Sequence, residues 1–407
     1  MSIGEKDISL HPHNSGVWRS WLAHLHGVQV VVRSSRITPT GKKLRRFSAA
    51  FLFDHGAKIC VAFPINYKLM TFPRLRYLVF VLPFALFLLV ACNKNEQKTE
   101  GESDRETIAM LDALIRKDEK NAELYYRRAK AYMAENQINE ALKDIQSAIS
   151  YDGKQSKYYI LQADLHFISD ASTLAFQDLQ QALSIDPQST EAYLKIAELS
   201  LFLRDYDKTM ENVNSALKID KFNSTAYFLR GWALKEKGDT VHAVTDFKRA
   251  VELNANYEQA NEELGILYAQ KNDPIAAEYL KTTIHINSKN TQARYALGLY
   301  YQTNGMFQEA LDQYQQILHI MPTHADALNN TGYINMRYKS DYETALQCFD
   351  KAILADSSFY QAYCNRGEVY EHLGKKQNAI ADFKTALALN PQYNEAKKKL
   401  QALGVRL

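Results

Sequence analysis

Side chains that could carry out chemistry are few in this sequence, and they rarely stand in a productive arrangement. The pairs His11/His13 and His24/His26 have the close spacing of metal ligands, but no acidic or cysteine cluster lies nearby to complete a site. The sequence shows neither a glycine-rich phosphate loop nor a nucleophile elbow. We therefore expect no enzyme: no catalytic residue, no metal site and no cofactor.

One cysteine, Cys92, does stand in a chemically informative place. Fifteen mostly apolar residues, 77–91, precede it, and a short basic stretch that begins at Met70 precedes those. This combination is typical of a secretory signal peptide. Signal peptides begin chains, so we predict that translation starts at Met70 and that residues 1–69 are an unstructured or spurious upstream extension. A cytosolic arm ahead of a single membrane anchor is the alternative.

The end of the apolar run resembles the bacterial lipobox, with Leu89 three residues before Cys92 and the small Ala91 immediately before it. The resemblance implies a lipoprotein signal peptide over 70–91 and a diacylglyceryl thioether on Cys92. A plain signal peptide or a stop-transfer helix is the alternative, although a membrane span needs about 20 apolar residues. Asn93 stands where enteric inner-membrane retention signals have aspartate. This favours the outer membrane of a Gram-negative bacterium.

The charge of the chain is unevenly distributed. Residues 1–91 hold twelve Lys and Arg against three Asp and Glu, so of the totals of 49 and 46 the remainder of the chain keeps 37 against 43. That remainder, residues 92–407, therefore carries a net charge of −6. A nucleic-acid-binding protein keeps a basic patch on its folded part. We therefore expect no nucleic-acid partner.

Two series of small residues, spaced about 34 apart, run through the chain from residue 122 to residue 393. Antiparallel helices cross closely only where the side chains at the crossing are small. The first series is Ala129, Ala163, Ala197, Gly231, Gly265, Gly298, Gly332 and Gly367. The second series is Ala141, Ala175, Thr209, Ala243, Ala276, Ala310, Ala345 and Ala379. Each unit is thus predicted to be a pair of packed helices.

The unit resembles the tetratricopeptide repeat (TPR), a helix–turn–helix pattern of 34 residues. In the last unit, Gly367, Ala379, Phe383 and Pro391 match its small, aromatic and proline positions. The resemblance implies an all-α fold, a right-handed α-solenoid of eight TPR helix pairs. The pairs start near residues 122, 156, 190, 224, 258, 291, 325 and 360. Terminal capping helices are expected over 105–120 and 394–407, and the polar residues 92–104 are expected to form a flexible tether.

Two steps in the series depart from 34 residues, one being 33 and the other 35. One residue is missing between Gly265 and Ala276, and one is extra between Gly332 and Ala345. Loop length can vary without moving the packed faces of the helices. We therefore assign both changes to the turn inside a repeat.

The working surface of TPR proteins is a concave groove lined by the first helices. The resemblance assigns partner binding to Phe228, Trp232, Tyr295, Leu299, Asn330, Tyr333, Arg337, Asn365 and Glu368. Phe228 and Trp232 are aromatic residues one turn apart, and truncating such an anchor costs about 2 kcal/mol or more. Asn330 and Asn365 are equivalent in successive repeats, and an amide both donates to and accepts from a peptide unit. Each position could instead be solvated surface or pack on a neighbouring repeat.

The resemblance implies a membrane-anchored scaffold that binds a protein or an extended peptide in the cell envelope. One alternative is a glycan- or nutrient-capturing lipoprotein accessory to an outer-membrane transporter. Such proteins build their sugar site from long inserted loops, whereas the net insertion in this array is zero. A regulatory subunit of an envelope enzyme complex is a second alternative, and it differs only in its partner.

Overall fold

The computed structural model describes residues 107–406, and every regular element in that part of the chain is helical. The predicted extension, signal peptide, Cys92 and tether lie outside the described residues. The chain divides into two compact units, residues 1–185 and 186–407. The described part of the first, unit 1, contains α1 Ile108–Ile115, α2 Ala122–Ala134, α3 Ile138–Tyr151, α4 Ser156–Ile168 and α5 Ser172–Ile185.

Unit 2 contains six helix pairs and a terminal helix. The pairs are α6 Thr190–Phe202 and α7 Tyr206–Ile219, α8 Ser224–Glu236 and α9 Thr240–Leu253, α10 Glu258–Gln270 and α11 Ile275–Ile286, α12 Thr291–Thr303 and α13 Phe307–Ile320, α14 Ala325–Ile334 and α15 Tyr342–Ala355, α16 Tyr360–His372 and α17 Lys376–Leu389. The terminal helix is α18 Asn394–Ala402. With α2–α5 of unit 1, these pairs confirm the predicted all-α solenoid of eight helix pairs, with a capping helix at each end.

Small residues lie where the two helices of a pair cross. A Cβ atom on Gly265 would lie 2.6 Å from the side chain of Leu280, and one on Gly367 would lie 2.7 Å from Phe383. Carbon atoms do not approach that closely, so the helix axes keep their separation only with glycine at these positions. The large side chains opposite are almost fully buried: Ile145, Leu179, Val213, Phe247, Leu280, Tyr314, Phe349 and Phe383.

Polar side chains cap the start of several first helices, and a residue in a left-handed conformation ends each of them. Asn121, Asn223 and Asn290 each accept a hydrogen bond from the backbone N–H three residues later. After each first helix, one residue adopts a left-handed conformation, with φ between 53° and 85°. These residues are Asn136, Asp170, Arg204, Gly238, Asn272, Gly305, Ser340 and Gly374.

The extra residue of the seventh repeat lies in a helix. The left-handed Ser340 follows Gly332 by eight residues, against seven in the other repeats. The added residue widens the end of α14 into a π-helical segment, Asn335–Lys339. Its placement in the turn was therefore wrong. The missing residue of the fifth repeat lies between the left-handed Asn272 and Ala276, which are four residues apart where the other repeats have five. This agrees with its predicted place at the turn, and α11 begins one residue before Ala276 where the other second helices begin three residues before their small residue.

The terminal helices cover the ends of the stack. On α1, Leu111 and Ile115 are buried against Leu124 of α2. On α18, Ala396 and Leu400 have no exposed surface. Across residues 107–406, none of the helices has both the length and the hydropathy that a bilayer span requires.

Arg128 and Arg366, each one residue before the small residue of a first helix, bind aspartates on two other helices. The sequence analysis did not predict these ion pairs. Arg366 donates two hydrogen bonds of 2.8 Å to Asp382 of α17 and one of 2.6 Å to Asp350 of α15. In the same way, Arg128 donates to Asp144 of α3 and to Asp112 of α1. Each arginine stands sixteen residues from both of its aspartates, and that spacing is the signal that could have found these pairs.

Candidate groove face of unit 2

The side chains assigned to partner binding lie on the first helices of unit 2. We define the groove face by Trp232, Tyr295, Leu299, Asn330, Tyr333, Arg337 and Asn365. Arg337 is exposed and the other six are partly exposed. Each first helix repeats the same packing against its second helix, so equivalent positions of successive repeats emerge on one side. The structure therefore brings seven of the nine predicted residues to a surface that a ligand can reach.

Phe228 does not belong to that surface. Its side chain is fully buried, and its ring lies 5.7 Å from that of Phe247 and 5.1 Å from that of Tyr257. Both neighbours are core residues of unit 2. The expectation that Phe228 contacts a partner is thus corrected, because its ring fills the space between two repeats.

Trp232 is held in place by a cation. The ring of Trp232 meets Phe228 edge-on, and Lys235 Nζ lies 4.2 Å from the centroid of the Trp232 ring. Lys235 also donates a hydrogen bond of 2.7 Å to Glu263, whose side chain is buried. A cation over a partly desolvated indole stabilises it by about 1 kcal/mol. The indole therefore has a fixed orientation before any partner arrives.

A chain of amide hydrogen bonds joins the predicted asparagines. Asn365 Nδ2 donates to Asn329 Oδ1 at 2.9 Å, and Asn329 Nδ2 donates to Asn330 Oδ1 at 3.3 Å. Asn330 Nδ2 in turn lies 3.3 Å from the hydroxyl oxygens of both Tyr295 and Tyr314. The chain fixes which atom of each amide is donor and which is acceptor. This hydrogen-bond network depends on Asn329, which the sequence analysis did not assign to partner binding.

The hydrogen-bond network ends at a tyrosine that is buried inside the sixth helix pair. The Tyr314 hydroxyl donates to Gln302 Oε1 at 3.0 Å, and the Tyr314 side chain has no exposed surface. Burial raises the pKa of the Tyr314 phenol well above its ordinary value, so the hydroxyl stays protonated and remains a donor. A tyrosine where the other repeats place Phe, Leu, Ile or Val is the signal that could have found this link.

A buried carboxylate fixes the arginine of the groove face. Glu368 is 2% exposed, and Arg337 donates to it at 2.5 Å. Lys399 of α18 lies 3.4 Å from the same carboxylate and donates to Glu371 at 2.8 Å. The expectation that Glu368 itself contacts a partner is corrected, since its oxygens are shielded by the two cations. Its role is to position Arg337, whose guanidinium also lies 5.9 Å from the Tyr333 ring.

A cluster of carboxylates lies where α10 meets the start of α12. Asn290 Nδ2 donates to Glu258 and to Glu262, each at 2.9 Å. Burial, together with the charges of Glu263 and Glu258, raises the pKa of Glu262 to about 7. Within residues 107–406, no three His, Cys, Asp or Glu side chains are arranged to hold a metal ion.

Comparison with known proteins places these repeats in a family. Three models of the tetratricopeptide repeat match residues 126–190, 224–257 and 360–393. Tetratricopeptide repeat protein 6 from Homo sapiens is 29% identical over 119 residues, covering 29% of this chain and 22% of that protein. The BBSome complex member BBS4 from Bos taurus is 29% identical over 167 residues, covering 41% of this chain and 32% of that protein. The chain thus spans no more than about a third of the length of these relatives.

Two solved structures are among those to which this chain is similar. The APC/C hetero-tetramer Cut9–Hcn1 matches with a TM-score of 0.48 and 16% identity, over 72% of this chain and 58% of that one. The C-terminal part of a TPR repeat-containing protein from Cytophaga hutchinsonii matches with a TM-score of 0.48 and 20% identity, over 60% of this chain and 99% of that one. At these identities the likeness concerns the fold alone.

Proposed function

This chain belongs to the tetratricopeptide-repeat proteins, and we propose that it is a lipid-anchored scaffold of the cell envelope that binds an extended segment of another protein along the groove face. Tetratricopeptide repeats serve as protein-interaction scaffolds, which supports the general role. The membrane anchor on Cys92, the outer-membrane location and the groove contacts are the finer parts of the proposal.

The observation that carries the proposal is the order of side chains along the groove face. Trp232, Leu299 and Tyr333 offer partly exposed apolar surface on three first helices. Asn330 and Asn365 add amides whose orientation is already set by hydrogen bonds. Spaced apolar anchors with amides on the same and the following first helix suit an extended polypeptide, because every non-proline residue of such a chain offers one N–H and one C=O.

Internal charge pairing supports a polypeptide partner over a polyanion. Lys235 is paired with Glu263, and Arg337 and Lys399 with Glu368. The cations of the groove therefore face buried carboxylates, and their positive charge is largely neutralised within the protein. Binding along a surface that is already ordered also avoids part of the entropy that a flexible surface would lose.

The anchor would hold the repeats close to the membrane. The polar composition of residues 92–104 suits a tether, and a flexible chain of about a dozen residues would reach roughly 20 Å. Several acyl chains on one cysteine give durable attachment, whereas a single chain gives marginal attachment. A scaffold attached in this way would meet partners in or near the same membrane.

Crosslinking in intact cells followed by purification of the chain tests the groove. We expect the double variant Trp232→Ala/Asn365→Ala to lose the main crosslinked partner while its far-UV circular dichroism stays unchanged. The matched control is Leu354→Ala, which trims a side chain that is 86% exposed on a second helix. Retention of the partner by the double variant, at the level of the control, would move the binding site elsewhere.

Membrane fractionation tests the anchor separately. Cys92→Ser removes the thiol that would be acylated, so we expect the variant to leave the membrane fraction or to stay uncut. Cys348→Ser, which changes a partly buried thiol on a second helix, is the control. Membrane association that is the same for both variants would remove the lipid anchor from the proposal.

A further inference from the structure

Helix α1 occupies the place of a second helix without a first helix of its own in the described part of the chain. Arg128 of α2 donates to Asp112 of α1 at 2.6 Å, just as Arg366 of α16 donates to Asp350 of α15 at 2.6 Å. Helix α15 is the second helix of the pair that precedes α16. Helix α1 is therefore placed on α2 as a preceding second helix would be, and a complete pair would add one more helix against it.

The side of α1 that this additional helix would cover is exposed. Met110 and Leu114 stand 34 residues before Asp144 and Ala148 of α3. Inside the first helix pair Asp144 and Ala148 are 6% and 0% exposed, whereas Met110 and Leu114 are 56% and 38% exposed. The difference measures what a first helix covers in a complete pair and leaves open on α1.

This open side is apolar. We call its four exposed residues the open face of α1: Ala109, Met110, Ala113 and Leu114. Residues three and four apart share one side of a helix, so the four form a continuous strip. Asp112, the only polar residue of α1, is engaged by Arg128. The outer helix of a repeat stack normally has a polar outer side, so the open face indicates a surface that another helix covers.

The residues just before α1 do not supply that cover. Residues 92–106 contain no apolar side chain apart from that of Cys92, so they offer nothing to bury against the open face. The apolar residues 77–91 belong to the signal peptide in the proposed function, and to that extent the inference rests on that proposal. The covering helix then comes from another molecule.

The open face is complementary in size to a second copy of itself. A two-fold axis through its middle sets two α1 helices antiparallel, which is also the orientation of the two helices in each repeat. In that register Met110 would meet Ala113 of the second copy, and Leu114 would meet Ala109. Each large side chain thus faces a small one, and small side chains let two helices approach closely.

The charges on either side of the open face agree with the same register. Glu106 stands three residues before the face, and Lys117 stands three residues after it. Antiparallel pairing sets these opposite charges against each other, and it does the same for Arg105 and Asp118. Parallel pairing would instead set like charges together, which is unfavourable.

We propose that α1 pairs with α1 of a second copy of this chain through their open faces, antiparallel and about a two-fold axis. The second α1 takes the place of the first helix that a complete pair would have. So short a contact is smaller than the roughly 1,200 Å² of stable interfaces, so the pairing is weak in dilute solution. Copies held on one membrane would pair more readily, because their effective concentration is higher.

Disulfide trapping in the purified full chain tests the pairing. Two differently tagged chains, one with Met110→Cys and the other with Ala113→Cys, are mixed and oxidised with copper phenanthroline. The proposed register sets these two positions opposite each other, whereas two copies of one variant are offset by about 4.5 Å along the helix. A disulfide needs Cβ atoms about 4 Å apart, so we expect the mixed pair to give at least about twofold more dimer than either variant alone.

Matched variants set the background and the orientation. Leu174→Cys replaces a side chain that is 46% exposed on α5, and it should give no more dimer than the native chain. In the mixed pair, Lys117→Glu should lower the yield by at least about twofold, and adding Glu106→Lys should restore it. Leu114→Glu should abolish trapping while the thermal unfolding stays native. The mass of each trapped subunit shows separately whether residues 1–91 have been removed.

Several results would overturn the proposal. One is a mixed-pair yield no higher than that of Leu174→Cys, and another is a charge reversal that Glu106→Lys does not rescue. A product that joins the variant cysteine to a different protein would assign the open face to that partner. Sedimentation of the Cys92→Ser chain with phosphatidylcholine–phosphatidylglycerol vesicles, if Met110→Glu removed it, would assign the face to a lipid surface instead.

Discussion

Glu262 occupies a place that apolar side chains fill in the third and fourth repeats. It stands three residues before Gly265, as Phe228 stands three residues before Gly231 and Leu194 three before Ala197. Phe228 and Leu194 are buried there. A carboxylate in such a place loses water and meets neighbouring carboxylates, and both effects disfavour its ionised form. This is why the pKa of Glu262 is raised to about 7.

The raised pKa of Glu262 predicts a pH-dependent stability. Between the ordinary glutamate pKa and about 7, the folded protein holds a proton that the unfolded chain has released, so stability falls as the pH rises through this range. Glu262→Gln keeps an oxygen that can accept from Asn290 and cannot ionise. We expect it to raise the free energy of unfolding at pH 8 by about 2 kcal/mol and to change it little at pH 4.

Urea denaturation at several pH values measures this effect. Glu252→Gln is the control, because Glu252 forms an exposed pair with Arg249 and such pairs contribute at most about 1 kcal/mol. Parallel stability curves for the native protein and Glu262→Gln would show that the carboxyl titrates normally.

At the scale of the element, the crossing of two helices decides the sign of a glycine substitution. Alanine is favoured over glycine inside a helix by about 1 kcal/mol. At Gly265, however, a Cβ atom would lie 2.6 Å from Leu280, a side chain with no exposed surface. Overpacking of this kind costs about 1–3 kcal/mol, so steric repulsion outweighs helix propensity.

We therefore expect Gly265→Ala to lower the free energy of unfolding by about 1–2 kcal/mol, measured by urea denaturation. Gly305→Ala is the informative comparison, since nothing lies within 4 Å of its added Cβ but its φ is 74°. That variant should also lose about 1 kcal/mol, through backbone strain alone. A stabilised Gly265→Ala would mean that the helices can separate at no cost.

At the scale of the whole molecule, unit 2 depends on the helix that covers its last helix pair. A repeat stack buries its apolar faces only against neighbours, so its ends need a helix with a polar outer side. Helix α18 meets this need, because Ala396 and Leu400 pack with Phe383 in one core cluster while Lys397 and Lys398 lie on its outer side. Lys399 adds ion pairs to Glu368 and Glu371.

Truncation after residue 393 tests this dependence. It removes the contacts of a fully buried leucine and exposes Phe383 and Cys364, so we expect the free energy of unfolding to fall by at least about 3 kcal/mol. Binding of a hydrophobic dye should rise, as measured by fluorescence. Truncation after Leu403, which keeps α18, is the control. An unchanged unfolding midpoint in the shorter chain would contradict the capping role.

Features that depend on residue spacing within a helix pair could be predicted from the sequence, whereas features that depend on contacts with other helices could not. The series that contains Gly265 and Gly367 predicted the helix pairs, because close packing leaves a periodic record in residue size. Position along a helix also predicted that Trp232 and Asn365 reach a common surface. Phe228 was misplaced because its partners, Phe247 and Tyr257, lie on other helices. The position of a residue relative to the small residue of its own helix contains no information about neighbours on other helices.

The sequence by itself determined the repeat length, the helix pairs and the net negative charge of residues 92–407, since each of these depends on local composition or spacing. Only the tertiary structure decided that the extra residue forms the π-helical segment at 335–339, and that Asn329 links Asn365 to Asn330. It also decided that the buried carboxylate of Glu368 accepts a hydrogen bond from Arg337 and so positions that arginine. These features depend on which side chains meet across helices, and such meetings are set by packing geometry that no single segment specifies.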